Sequence, residues 1–228
     1  MTDKPYQLLV FDWDGTLMDS AARIVSCLRG AIAETRADAR DDTALRDIIG
    51  LGLDEAILAL YPDADARFLT DFRDAYRAYF LERDETPSTL FPGVAELLAG
   101  LEAAGYWMAV ATGKSRRGLD RVLEETGLGA HFLATRCADE TFSKPHPAML
   151  NEIMNQLGLT PDSTLMIGDS EYDMLMASNA GADRLGVTYG VHGGQRLAQH
   201  GPVALMDDLR HLPSWLSGSG KCESGSAT

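Results

Sequence analysis

The run Gln7-Leu8-Leu9-Val10-Phe11 is apolar almost without interruption and ends in Asp12-Trp13-Asp14-Gly15. A short β-forming segment without polar alternation suits a strand buried on both faces, the situation of strands in a parallel sheet. The two acids then stand at the strand's carboxyl end. Side chains alternate along a strand, so Asp12 and Asp14 are expected to point one way and Trp13 the other. Two carboxylates about 4 Å apart repel by about 4 kcal/mol at an effective dielectric of about 20, so the pair calls for a shared proton or a cation.

From about residue 91 the pattern alternates helix and strand, which points to an α/β domain built on a parallel sheet. Strands are expected over 7–12, 106–111, 132–135 (the weakest), 164–167 and 184–188. Helices are expected over 93–104, 116–126, 146–157 and 171–180, with Pro92 and Pro145 where two of them begin. Gly105, Gly127, Gly158 and Gly181 follow as helix closers. Residues 19–90 contain no convincing strand and show helical spacing instead, as in Ala21, Ile24, Val25, Leu28 and Ile32. A second stripe, Phe68, Phe72, Tyr76 and Phe80, reads as core packing. The expected organisation is a doubly wound α/β core from 1–18 and 91–216, an inserted α-helical cap over 19–90, and a flexible Ser/Gly-rich tail over 217–228.

The net charge of −14 and pI of 4.6 argue against nucleic acid and against anionic membrane, both of which need a basic face. No apolar run approaches membrane-spanning length, and MTDKPYQ lacks the plan of a signal peptide, so a cytoplasmic protein is expected. Cys27, Cys137 and Cys222 are widely spaced and form no CxxC, so they read as reduced thiols.

In a doubly wound sheet, ligands bind outside the carboxyl ends of the strands. Polar residues collect at four such places: Asp12 and Asp14; Thr112-Gly113-Lys114-Ser115; Lys144, ahead of the helix expected over 146–157; and Gly168-Asp169-Ser170-Glu171-Tyr172-Asp173. Singly they have plainer readings, since Thr112, Ser115, Asp169 or Ser170 could cap helices and Lys144 could be a solvated lysine. Together, FDWDGTLMDS, ATGKS, the lysine of SKPHP and GDSEYDM resemble the four motifs of the haloacid dehalogenase superfamily. The resemblance is to the helical-cap branch, subfamily I, and its phosphoglycolate phosphatase-like members, and it covers residues 6–210. It implies a Rossmann-like core and a phosphoric monoester hydrolase.

The residues suit that chemistry. A carboxylate is ionised at neutral pH, so Asp12 can attack phosphorus without a base and form an aspartyl-phosphate. Asp14 would protonate the departing alkoxide and then take a proton from the hydrolytic water. The resemblance further implies Mg²⁺ held by the side chains of Asp12 and Asp169 and the main-chain carbonyl of Asp14, with Asp173 nearby or acting through water. Thr112 and the Gly113 amide would hold phosphate oxygens, and Lys144 would neutralise the nucleophile and the transferring group. The expected partner is a small phosphorylated metabolite, phosphoglycolate being one candidate, and the chain is expected to be a monomer or homodimer.

Rival readings fare worse. A P-loop needs glycine where Met108 stands, and an EF-hand needs its glycine two places later and an acid where Arg23 stands. Dehalogenases of the superfamily typically lack the second aspartate. A phosphonoacetaldehyde hydrolase needs a cap lysine, and none lies between Lys4 and Lys114. A β-phosphoglucomutase-type phosphosugar mutase is expected to carry histidine and arginine where this chain has Ile24 and Leu53. A non-catalytic phospho-acceptor signalling domain would be shorter and have no helical insertion. His146 reads as structural, and His192-Gly193-Gly194 as a loop rather than a metal site.

Overall fold

The computed structural model describes residues 4–218. The elements run β1 (Leu8–Phe11), β2 (Met18–Asp19), α1 (Ala21–Thr35), α2 (Asp42–Asp47), α3 (Leu53–Leu60), α4 (Ala66–Ala78), a π-helical turn (Tyr79–Arg83) and β3 (Thr89–Leu90). They continue through α5 (Val94–Ala103), β4 (Trp107–Thr112), α6 (Arg116–Thr126), β5 (Ala134–Cys137), α7 (Ala148–Leu157), β6 (Thr164–Gly168), α8 (Glu171–Ala180), β7 (Asp183–Val187), α9 (Gly194–Ala198), β8 (Ala204–Met206) and α10 (Leu212–Gly218).

Six strands form one parallel sheet in the order β5-β4-β1-β6-β7-β8, so the chain winds outward from β1 in both directions. β1 is central, and the continuous apolarity of its sequence has its cause there. Leu9 and Phe11 pack into one cluster with Val94, Leu98 and Leu119, while Leu8 and Val10 pack into another with Leu150, Ile153 and Met166. Both faces of the sheet are therefore covered, and the expected doubly wound α/β core is what the chain forms.

Between β1 and β4 the chain leaves the sheet. The short antiparallel pair β2–β3, Met18 with Leu90 and Asp19 with Thr89, brings the two ends of the helical segment together. Its helices pack on one another through Ile24, Leu28, Leu45, Ile57 and Phe72, a cluster separate from the two that cover the sheet. Of the aromatic stripe, Phe72 is fully buried there, whereas Tyr76 and Phe80 are only partly buried and line a cavity facing the sheet. Phe68, Tyr76 and Phe80 nonetheless pack against the same cluster, so the stripe is core packing whose last two rings also face the cavity.

Several boundaries move. The strand expected over 132–135 forms two residues later, because Leu128–His131 first completes a 3₁₀ turn. The helix expected from 146 begins at Ala148, past both prolines, so Pro145 does not open it. Strand β8 has no periodic signature, being three residues at the edge of the sheet. Ser217 and Gly218, expected in a flexible tail, close α10, and the rest of that expected tail lies outside the described residues. Among the described residues, no helix is long and apolar enough to cross a membrane.

Candidate active site

The carboxyl ends of β1, β4 and β6 converge, and the four polar places of the sequence meet there. Asp12 follows β1, Thr112 ends β4, and Asp169 follows β6. Asp12, Thr112, Lys144, Asp169 and Asp173 are almost wholly buried. The Lys144 ammonium lies 2.7 Å from Asp12 Oδ1 and 2.6 Å from Asp173 Oδ1. Asp12, Asp169 and Asp173 each offer an oxygen within 4.8 Å of the others.

Local sequence explains these positions. Gly15 turns the chain with φ +84°, and a side chain there would collide with the Asp169 carboxylate, so the loop after β1 can close only over glycine. Thr16 Oγ1 donates to Asp169 Oδ1 at 2.8 Å, and the Val191 amide donates to its Oδ2 at 2.8 Å. Ser170 caps α8 in a reciprocal capping box with Asp173, whose Oδ2 accepts from the Ser170 amide at 3.0 Å and hydroxyl at 2.6 Å. That leaves Asp173 Oδ1 for Lys144.

Three carboxylates and one ammonium leave an excess of negative charge in a dry place. Burial pushes Asp12 well above the usual carboxylate range, against the opposing pull of Lys144. Burial, then the charge of Asp173, raises Asp169 to about 7. Burial alone would depress Lys144, but the Asp12 and Asp173 carboxylates outweigh it and its pKa rises. Asp12 Oδ2 is buried and has no hydrogen-bond partner among the described residues. A hard divalent cation fits this donor set, since it supplies both the missing charge and a partner for that oxygen.

Asp14 stands outside the cluster of Asp12, Asp169 and Asp173. β1 ends at Phe11, so Asp14 sits in the following turn, and its Oδ1 lies 2.9 Å from Lys114 Nζ and 2.5 Å from the Ser20 hydroxyl. The two aspartates thus have separate lysines, and strict alternation along a strand does not reach Asp14. Trp13 is buried on the opposite side with Leu9 and Phe11, edge-on to Phe132, as alternation requires. Lys114 and Ser20 lie within ATGKS and FDWDGTLMDS, where nothing local to either residue signals a pairing with Asp14. Thr112 Oγ1 accepts from the Lys114 amide at 3.2 Å, and Ser115 caps α6.

The helical insertion is docked on the sheet. The Gly52 amide donates to Ser143 Oγ at 2.7 Å, Tyr172 donates to the Asp47 carbonyl at 2.9 Å, and Arg196 pairs with both Asp47 and Glu171. The carbonyls of Gly50 and Leu51 press on Gly113 so closely that a side chain would not fit. His192, expected merely to be loop, is buried, and its Nδ1 accepts from the Glu171 amide at 3.0 Å. Burial and the nearby Arg196 lower its pKa. Below the docked helices, a cavity of about 480 Å³ opens onto Asp12, Asp14, Gly113 and Lys114.

The family profile described as "Haloacid dehalogenase-like hydrolase" matches residues 9–187. The chain belongs to that family. Proteins similar to it include "Probable phosphatase IndB" of Dickeya dadantii, 39% identical over 211 residues that span 90% of this chain and 91% of that one. The phosphoglycolate phosphatase of Vibrio cholerae is 31% identical over 92% of this chain and 96% of its own. Among solved structures, a predicted phosphatase from Clostridium acetobutylicum superposes with a TM-score of 0.84 at 27% identity, covering 94% of this chain and 99% of that one. The resemblance of the four motifs is thus a family relationship, and the chain is an enzyme of the phosphoric monoester hydrolase class.

Proposed function

We propose that the chain is a Mg²⁺-dependent phosphatase that hydrolyses a small phosphate monoester through an aspartyl-phosphate on Asp12. The observation that carries this reading is the buried Lys144 ammonium shared by Asp12 and Asp173, with Asp12 Oδ2 left open. Asp12 attacks the phosphorus, the ester oxygen leaves with its bonding pair, and Asp14 delivers the proton it needs. Asp14 then removes a proton from water as that water attacks the aspartyl-phosphate, which returns Asp12 and releases phosphate. Lys144 holds the nucleophile in place and offsets charge on the phosphoryl group, while Thr112 and the Gly113 amide hold its oxygens. Mg²⁺ held by Asp12, Asp169 and Asp173, with the Asp14 carbonyl, would add the positive charge that phosphoryl transfer requires.

A mutase is disfavoured because Ile24 and Leu53, standing where a β-phosphoglucomutase would carry histidine and arginine, both present apolar side chains to the cavity. The reading extends to residues 1–18 and 91–216 as the catalytic unit, 19–90 as a cap that excludes water, a cytoplasmic location, and a small phosphorylated metabolite as partner of a monomer or homodimer. The test is phosphate release from p-nitrophenyl phosphate and a panel of small esters headed by phosphoglycolate, with Mg²⁺ and with EDTA. Metal-dependent release that disappears in Asp12→Asn supports the reading, and release indifferent to both refutes it.

A further inference from the structure

Resting on the phosphatase reading, we infer that the preferred ester has a leaving group much larger than glycolate, with an apolar, ring-bearing body that lies against Phe80, Tyr76 and Leu51. The cavity measures about 480 Å³, in the range of sites that take ligands much larger than a two-carbon ester. This is the space that remains with the cap docked. Gly52 is already bonded to Ser143, Asp47 to Tyr172 and Arg196, and Leu51 lies against Gly113.

The walls beside Asp14 set the chemistry. Asp14 protonates the departing oxygen, so the leaving group extends from Asp14 into the cavity. There the π-helical turn Tyr79–Arg83 carries Phe80, which stacks on Tyr76 at 5.8 Å and lies 4.8 Å from Lys114 Nζ. Turns of this kind recur at functional sites, because the extra residue re-aims a side chain. Ile49, Leu51 and Leu53 complete an apolar wall.

Among the described residues, the cations nearest this wall are engaged with protein groups: Arg23, 5.0 Å from the Phe80 ring, donates to the Phe80 carbonyl at 2.9 Å. Lys114 is 2.9 Å from Asp14, and Arg73 is paired with Asp54 at 3.4 Å. Arg77 and Arg117 also line the cavity, but both are exposed at its rim. A carboxylate placed against Phe80, Tyr76 and Leu51 would be desolvated by aromatic and aliphatic carbon, which is costly away from the exposed arginines, whereas a ring gains from the same surface.

The test compares kcat/KM of the Mg²⁺-loaded enzyme for three primary alkyl esters of similar leaving-group basicity: phosphoglycolate, ethyl phosphate and 2-phenylethyl phosphate. The phenylethyl ester is expected to exceed both others by about tenfold or more. Phe80→Ala, which removes the ring, and Leu51→Trp, which fills the space, are each expected to cut the phenylethyl-to-ethyl ratio by about fivefold or more. Phosphoglycolate equalling or beating the phenylethyl ester, or a ratio that neither variant moves, overturns the proposal. If p-nitrophenyl phosphate is also inert with Mg²⁺, the phosphatase reading fails and this proposal with it, and the inert control distinguishes that result from a mere preference for small esters.

Discussion

Lys144 Nζ lies 2.7 Å from Asp12 Oδ1, and neither side chain is reached by solvent. Lys144 is shared by Asp12 and Asp173, so it is the loss of the lysine that strands buried charge without water. Lys144→Met is expected to destabilise the fold by about 3–5 kcal/mol, since it leaves Asp12, Asp169 and Asp173 with no cation. Urea unfolding would measure this. A loss below about 1 kcal/mol would mean that the cluster takes up protons in place of the lysine.

Asp12→Asn separates chemistry from folding. The amide is nearly isosteric but cannot attack phosphorus, so turnover should fall by at least about 10³-fold. Lys144 keeps Asp173 as a partner at 2.6 Å, and burial already disfavours the charge on Asp12. The thermal midpoint should therefore stay within about 4 °C of wild type. Steady-state kinetics and thermal unfolding on one preparation check both parts, and retained turnover would remove Asp12 as nucleophile.

How far the sequence could be read depended on whether a residue's role came from its own element or from a distant partner. β1 was legible because burial on both faces leaves an unbroken apolar run, and α8 because Ser170 and Gly181 bracket it chemically. Asp12, Thr112, Lys144 and Asp169 were legible because strand ends in a wound sheet bring them together. The lysine pairing of Asp14 was not, since Lys114 arrives from another strand about 100 residues later and its geometry depends on where β1 stops. Nor was the double role of the aromatic stripe, in which Phe72 is buried in the core of the helical insertion while a π-helical turn brings Phe80, packed against that core, to the cavity. The clasp of Asp47 with Arg196 joins residues with no shared pattern.

Lys114 should matter as much for Asp14 as Lys144 does for Asp12. It holds Asp14 Oδ1 at 2.9 Å together with Ser20, fixing the carboxylate that must reach the leaving oxygen. Lys114→Met keeps the carbon stem beside Phe80 and loses the charge. The expected result is a fall in kcat of about 10- to 100-fold, with a smaller fall for Ser20→Ala. Stopped-assay kinetics on an alkyl ester, whose leaving group needs a proton, give the comparison. An unchanged kcat in both variants would show that Asp14 finds its position without them.

Metal binding should report on the acid cluster through pH. The folded-state pKa of Asp169 is raised from 3.8 to about 7, so between those values the folded protein holds a proton that the unfolded chain has lost. Protons bound by the folded state exceed those bound by the unfolded state in that window, and the metal-free protein loses stability as pH rises through it. A divalent cation binds the ionised cluster and displaces the proton, so it is opposed at pH 5 and unopposed at pH 8. At about 100 times its dissociation constant, a cation adds about 2.7 kcal/mol, or ~5–10 °C in thermal midpoint for a chain of this size. Mg²⁺ should raise the midpoint by that much at pH 8 and by little at pH 5, and Asp169→Asn should flatten the difference. An equal shift at both pH values, or one that survives in Asp169→Asn, would place the cation away from the buried carboxylates.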